Sequence, residues 1–283
     1  PEQPNQDQAL LVLRRPKRKT LDDLRARDLS FVALTGAVRL QAPGVLIDRT
    51  DLARPLRAAS DTRRSAFSDR ASMIPRWLLS HRPGTEWTMG ALAASTGVPQ
   101  SVASYAVKDL VTRQLVESET RGKEKWVWLR DPILLIEQWA REYDWRDNPS
   151  LSISAPIGSP KRFLRRFSDL PDTPRVAVTL QAAASLSLPH APIEHVHMYV
   201  GVNDLEALAS LARRLRWPQS PEGSLKLMVP YYKQSVWDGV TEQEGVPMVS
   251  NVQLLLDLWN YPVRGREQAD LILEKQLLEW SDT

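Results

Sequence analysis

The chain contains no cysteine. That excludes disulfide bridges, thiolate metal sites and cysteine nucleophiles, and it agrees with a reducing compartment, so a cytoplasmic location is expected. Long apolar runs are also missing: nowhere do 18 or more apolar residues follow one another, and the opening stretch Pro1 to Gln8 is polar. Neither a membrane span nor a secretory signal is expected. There is no Walker phosphate loop, no dinucleotide-binding glycine pattern and no Gly-x-Ser-x-Gly nucleophile turn. Histidine is scarce, at four of 283 residues. The expectation is a protein that is not an enzyme and carries no cofactor.

What is present suits a globular chain of two or three compact units, since 42% of the residues are apolar. The net charge of +3 hides a polarity along the chain. Residues 1–130 hold 22 Lys/Arg against 14 Asp/Glu, whereas residues 131–283 hold 15 against 20. The first half is therefore the one suited to a polyanion.

Within that half, Trp87 to Val98 reads as a short helix with a threonine cap at Thr88 and a glycine stop at Gly97. Pro99-Gln100-Ser101 opens a second helix, continuing from Val102 to Gln114. At 100° per residue, Val102, Ala103, Ala106, Val107 and Leu110 face inward, while Ser101, Ser104, Tyr105, Lys108 and Thr112 share the outer arc. An outer arc so short of long charged pairs suits base edges and phosphates; the plainer reading is an ordinary amphipathic surface helix. Leu115–Glu119 and Lys125–Arg130 alternate like strands around the basic turn Thr120 to Glu124, which predicts a hairpin.

The run Leu92-Ala93-x-x-x-Gly97-Val98-x-x-Ser101-x-x-Ser104, with that hairpin after it, resembles bacterial winged-helix regulators. The resemblance extends from a helix near Ser68 to Arg130. It implies binding to double-stranded DNA, with Gln100, Ser101, Ser104, Tyr105, Lys108 and Thr112 at the groove and Arg121, Lys123 and Lys125 along phosphates. Upstream, Arg14, Arg15, Lys17, Arg18 and Lys19 form a basic run that is either a phosphate-tracking arm or a solvated linker.

The remaining elements follow from caps and periodicity. Thr20 to Arg25 predicts a short helix; Ser30 to Leu40 and Gly44 to Asp48 predict two strands; Arg49 to Arg64 reads as a linker. Ser68-Asp69 should cap a helix over Arg70 to Ser80 that buries Ala71, Ile74, Trp77 and Leu78, and Asp131-Pro132 should open one over Ile133 to Tyr143. Beyond a boundary near Pro149, helices are expected over Pro160 to Phe167, Asn203 to Leu215, Ser250 to Asn260 and Gly265 to Leu278. Strands are expected near Val176 to Leu180, Val196 to Val200 and Leu225 to Val229.

The last segment carries a second resemblance. Pro230-Tyr231-Tyr232-x-x-Ser235-Val236, Val249-Ser250-x-x-Gln253-Leu254-x-Leu256-Asp257-Leu258 and Pro262-x-Arg264-Gly265-Arg266-Glu267-x-Ala269 are similar to the C-terminal half of the antitoxins of AbiE type IV abortive-infection systems. Membership implies an autorepressing DNA-binding regulator whose second domain counters a nucleotidyltransferase-like toxin. The expected fold class is α+β. Its three parts are 1–66, a basic arm with a short helix and β-hairpin; 67–148, a winged-helix DNA-binding domain; and 149–283, a mixed α/β antitoxin-like or regulatory domain. The expected partners are double-stranded DNA and a cognate toxin, and a homodimer is compatible with them.

Other residues bear on other chemistries. His195 and His197, with Glu194 and His190 nearby, allow a metal pair or structural histidines. Gly158-Ser159 lacks the paired carboxylates of a nucleotidyltransferase until Glu242-Gln243-Glu244, and Asp204, Glu222 and Lys226 have the wrong spacing for a nuclease. Arg264 and Arg266 could bind an anion at a helix start, or pair with acids. The alternatives to a DNA-binding regulator are a protein-interaction module that neutralises such a toxin, and a nucleic-acid-processing enzyme.

Overall fold

The computed structural model describes residues 10–13, 16, 18–33, 37–49, 65–155, 174–187, 195–262 and 264–281. The chain divides into two compact units, Pro1–Thr62 and Arg63–Thr283. Its fold class is mixed α and β, with three separate sheets among the described residues.

The first unit runs β1 (Leu10–Leu13), α1 (Arg18–Ala26), β2 (Ser30–Ala33), β3 (Val38–Ala42) and β4 (Val45–Asp48). Strands β1 and β2 are parallel, so α1 serves as the crossover that parallel neighbours require, and β2, β3 and β4 continue as an antiparallel meander. Its core is small: Leu21, Phe31, Ala33 and Ala37. Arg39 beside it is nearly enclosed and donates to Asp48 and Asp28 at 2.6 Å each. The strand expected over Ser30 to Leu40 is in fact two, and Leu10–Leu13 is an additional strand. Being uniformly apolar, it has no alternation for the sequence to reveal. Helix α1 begins at Arg18, so Thr20 lies inside its first turn rather than capping it. Residues 1–9, Arg14, Arg15, Lys17 and residues 50–64 of the expected linker lie outside the described residues, as do residues 156–173, with the expected helix over Pro160 to Phe167.

The second unit begins with α2 (Met73–Leu79), β5 (Trp87–Thr88), α3 (Met89–Thr96), α4 (Gln100–Thr112), β6 (Val116–Arg121) and β7 (Glu124–Leu129). Strands β5, β7 and β6 form an antiparallel sheet in that order. Helix α2 starts three residues later than its sequence suggests, and Ser68 and Asp69 do not cap it. Ser68 Oγ instead lies 3.0 Å from the Tyr105 hydroxyl, and the Asp69 carboxylate accepts from the backbone N–H groups of Gln234 and Ser235. Pro75 then falls in the first turn, where its missing N–H costs no hydrogen bond. Of the expected inward face, Ala71, Ile74 and Leu78 are buried and Trp77 only partly so, while Pro75, Arg76 and Leu79 are buried as well. A helix covered on more than one side does not bury a single stripe.

After Asp131, whose carboxylate caps the next helix by accepting from Leu134 N–H at 2.9 Å, come α5 (Pro132–Glu142) and β8 (Ser150–Ile153). Then follow β9 (Val176–Thr179), α6 (Leu180–Ser187), β10 (Val196–Val200), α7 (Leu205–Arg214), β11 (Leu225–Met228), β12 (Thr241–Gln243), β13 (Val246–Met248), α8 (Asn251–Trp259) and α9 (Gly265–Ser281). Six strands form one sheet in the order β12-β13-β9-β10-β11-β8. Strands β9 and β10 are buried at every position, the mark of a sheet covered on both faces. A single apolar core runs from Ala66 through Leu110 and Trp139 to Leu273. Among the described residues, no helix is long and apolar enough to cross a membrane.

Candidate nucleic-acid interface

Helices α3 and α4 are joined as their sequence dictates. Thr88 Oγ1 accepts from Ala91 N–H at 3.1 Å, and Gly97 takes φ +63°, the left-handed conformation that ends α3 without a side-chain clash. After Val98 and Pro99, α4 begins at Gln100. Ala103, Ala106, Val107 and Leu110 are buried, while Gln100, Ser101, Ser104, Lys108 and Thr112 are exposed along the same helix. Burying Leu110 alone contributes roughly 1.5–3 kcal/mol, which holds the helix with its polar face outward. Tyr105 is half-buried, its hydroxyl beside Ser68. The Thr112 hydroxyl donates to the Lys108 carbonyl at 2.8 Å.

The hairpin is tighter than the sequence suggests: Arg121 pairs with Glu124, leaving Gly122 and Lys123 at the tip, with Gly122 at φ +65°. Lys123 is exposed, and Lys125 is partly covered. Arg121 is held by two carboxylates, Glu86 at 2.6 and 2.8 Å and Glu119 at 2.6 Å. Those hydrogen bonds hold its guanidinium even more firmly protonated, and the Arg121 bond lowers the Glu86 carboxyl in turn. Of the upstream basic run, Arg18 and Lys19 lie in α1, so this part is helix rather than an extended arm.

The alternative chemistries find structural uses for their residues. Asp204 caps α7, accepting from Ala207 N–H at 2.9 Å, and Lys226 lies over the Trp145 ring at 5.4 Å. His197 is enclosed by Trp145 and Tyr261, whereas His195 is exposed. Burial is the main reason the His197 imidazolium is disfavoured, its pKa falling to about 4; Lys226 and His195 add to the effect. Among the described residues, no three His, Asp or Glu stand together as metal ligands. Gly158, Ser159, His190 and Glu194 lie outside the described residues. Glu242 is on strand β12, with Glu244 in the turn after it. Arg264 pairs with Glu267 and Arg266 with Asp270, both at 2.9 Å.

The sequence motifs of the last segment converge on a buried polar cluster that carries no sequence-assigned role. Gln253 and Asp257 are fully buried one helical turn apart on α8. Asp257 Oδ1 accepts from Tyr143 at 2.6 Å, Tyr199 at 2.9 Å and Gln253 Nε2 at 2.8 Å, and its Oδ2 accepts from Thr179 at 2.5 Å. Burial raises the Asp257 carboxyl above its usual range against these four donors, which pull the other way. Gly265 is fixed by space: a Cβ there would lie 2.4 Å from the Leu258 carbonyl oxygen. The legible signal was a polar pair at i and i+4 inside the apolar run Val252 to Trp259.

A protein-family comparison matches residues 129–278 to a family described as a transcriptional regulator, the AbiEi antitoxin of a type IV toxin–antitoxin system. The match spans more than half the chain. This protein belongs to the AbiEi antitoxin family. Searches of curated proteins and of solved structures return no match. AbiEi proteins are thus transcriptional regulators and antitoxins by family, and the Gln253–Asp257 cluster and Gly265 lie inside the matched region. The helix pair α3–α4 and nearly all of the hairpin lie upstream of it.

Proposed function

We propose that residues 67–148 are a winged helix that binds double-stranded DNA and represses transcription from its own promoter, and that residues 149–283 are the body that engages a cognate, nucleotidyltransferase-like toxin. The observation that carries the first part is helix α4, seated by Ala103, Ala106, Val107 and Leu110, with Gln100, Ser101, Ser104 and Lys108 outward and a glycine-tipped basic hairpin following directly. A helix so presented reads base edges, and a hairpin beside it lies along phosphates. Tyr105 and Thr112 flank the reading face and Arg121, Lys123 and Lys125 supply the wing; the basic run Arg14, Arg15, Lys17, Arg18 and Lys19, in the other unit, contributes phosphate contacts of its own. The second part draws support from the family match, which begins at the end of the hairpin and runs through the body. Two copies on an inverted repeat would suit such a reader.

The test is an electrophoretic shift with the DNA upstream of the protein's own gene. Binding is expected at moderate salt, and Lys108→Ala should weaken it about tenfold without altering the melting temperature. Absence of any shift by the wild-type protein at roughly 50 mM salt, where phosphate contacts are strongest, would sink the reading.

A further inference from the structure

The reading helices and the body share one apolar core, and a chain of polar bonds crosses it. Arg76 on α2 is 1% exposed, and its Nη2 donates to Gln253 Oε1 at 2.5 Å. Gln253 Nε2 passes the link on to Asp257 and to the Tyr143 hydroxyl at 3.0 Å. One amide therefore stands between a buried cation and a buried anion, its oxygen toward the arginine and its NH₂ toward the carboxylate. The guanidinium also lies over the Trp139 and Tyr232 rings, at 5.2 and 5.7 Å. Around this centre, the Tyr232 hydroxyl donates to the Phe67 carbonyl at 2.5 Å, Gln276 Nε2 to the Leu79 carbonyl at 2.9 Å, and Ser72 Oγ to Ser235 Oγ at 2.9 Å. Asp69 closes the rim on the N–H groups of Gln234 and Ser235.

Stability alone does not account for Arg76. Its Nε and Nη1 are buried with no hydrogen-bond partner among the described residues, and burial lowers the pKa of the guanidinium. An apolar side chain of similar volume would avoid that desolvation. Directional bonds sharpen the single orientation that packing alone leaves less strictly defined.

We propose that Arg76, acting through Gln253, is a positioning residue that latches the DNA-reading helices to the antitoxin body at one fixed angle. This inference rests on the DNA-binding reading for its purpose, but not for its geometry. A pre-set angle removes an ordering cost that a swinging module would otherwise meet on binding its operator.

The absence of cysteine allows two labels to be placed at will. Spin labels at Thr120→Cys on the hairpin and Glu274→Cys on α9, both exposed, should give one narrow distance distribution. In the folded double variant Arg76→Met/Gln253→Leu the distribution should broaden, and operator affinity should fall about tenfold. A distribution as narrow as wild type in that variant overturns the latch. If the double variant does not fold, Arg76→Lys takes its place, keeping the cation but losing the guanidinium donor to Gln253: broadening supports the latch and an unchanged distribution overturns it. Broadening in a protein whose wild type shifts no DNA would uphold the latch and overturn the DNA-binding reading instead.

Discussion

Helices α4 and α8 both carry polar residues among apolar ones, yet they occupy opposite kinds of place. On α4 burial follows one stripe, and Ser101, Ser104 and Lys108 face outward. On α8 every residue from Val252 to Leu258 is buried, including Gln253 and Asp257. A polar side chain on α4 can be exchanged with water as its partner, whereas one on α8 has only the partners the fold provides. The two helices should therefore respond oppositely to substitution: α8 in stability, α4 in binding.

The largest effect is expected from Asp257→Ala. It removes the acceptor of Tyr143, Tyr199, Thr179 and Gln253 at once and leaves a cavity. The expected loss is about 3–5 kcal/mol of folding stability, read by urea denaturation. Asp257→Asn keeps the volume and one acceptor oxygen, and should lose less. A variant as stable as wild type would mean that α8 tolerates polar change as a surface helix does.

This contrast also explains what the sequence could show. Helices α3 and α4 were legible because their determinants are local: the Thr88 cap, the Gly97 stop and a 3.6-residue period. The ends of α7, α8 and α9 were legible within a few residues for the same reason. The three strands β9, β10 and β11 showed themselves as largely apolar runs, whereas the alternation of β8 spans only four residues and the helix Leu180–Ser187 carries no clear period. The role of Arg76 was hidden because its partner lies 177 positions away. Asp69 looked like a helix cap because a carboxylate before a helix usually is one; its actual acceptor role, toward Gln234 and Ser235, depends on tertiary contact.

A middle-sized effect is expected from His197, which lies in the same six-stranded sheet as Thr179 and Tyr199, two of Asp257's donors. Trp145 and Tyr261 enclose the ring, and Lys226 and His195 are the charged or titratable groups acting on it. Its folded pKa, about 4, is below the unfolded value of 6.5. The stability this represents is fully present above the unfolded value and is lost as pH falls from there toward 4. Between pH 7 and pH 4.5 the wild type should lose about 2–3 kcal/mol more than His197→Leu, by urea denaturation at each pH. Equal losses would place His197 among groups that titrate as if in water, and would blunt the division between interior and surface.

The smallest effect belongs to the hairpin, where stability should not change and only the salt dependence of DNA binding should. Lys123 is exposed at the tip beside Gly122, so Lys123→Ala removes one cation and no buried contact. If it neutralises a phosphate, the slope of log affinity against log salt should fall by about 0.9. Arg121→Ala should lower the slope by less, because Glu86 and Glu119 already hold that guanidinium and a phosphate must compete with them. Melting temperatures of both variants should match the wild type, in contrast to Asp257→Ala. An unchanged slope for both, with melting unchanged, would remove the hairpin from the footprint and leave α4 to meet the DNA without it.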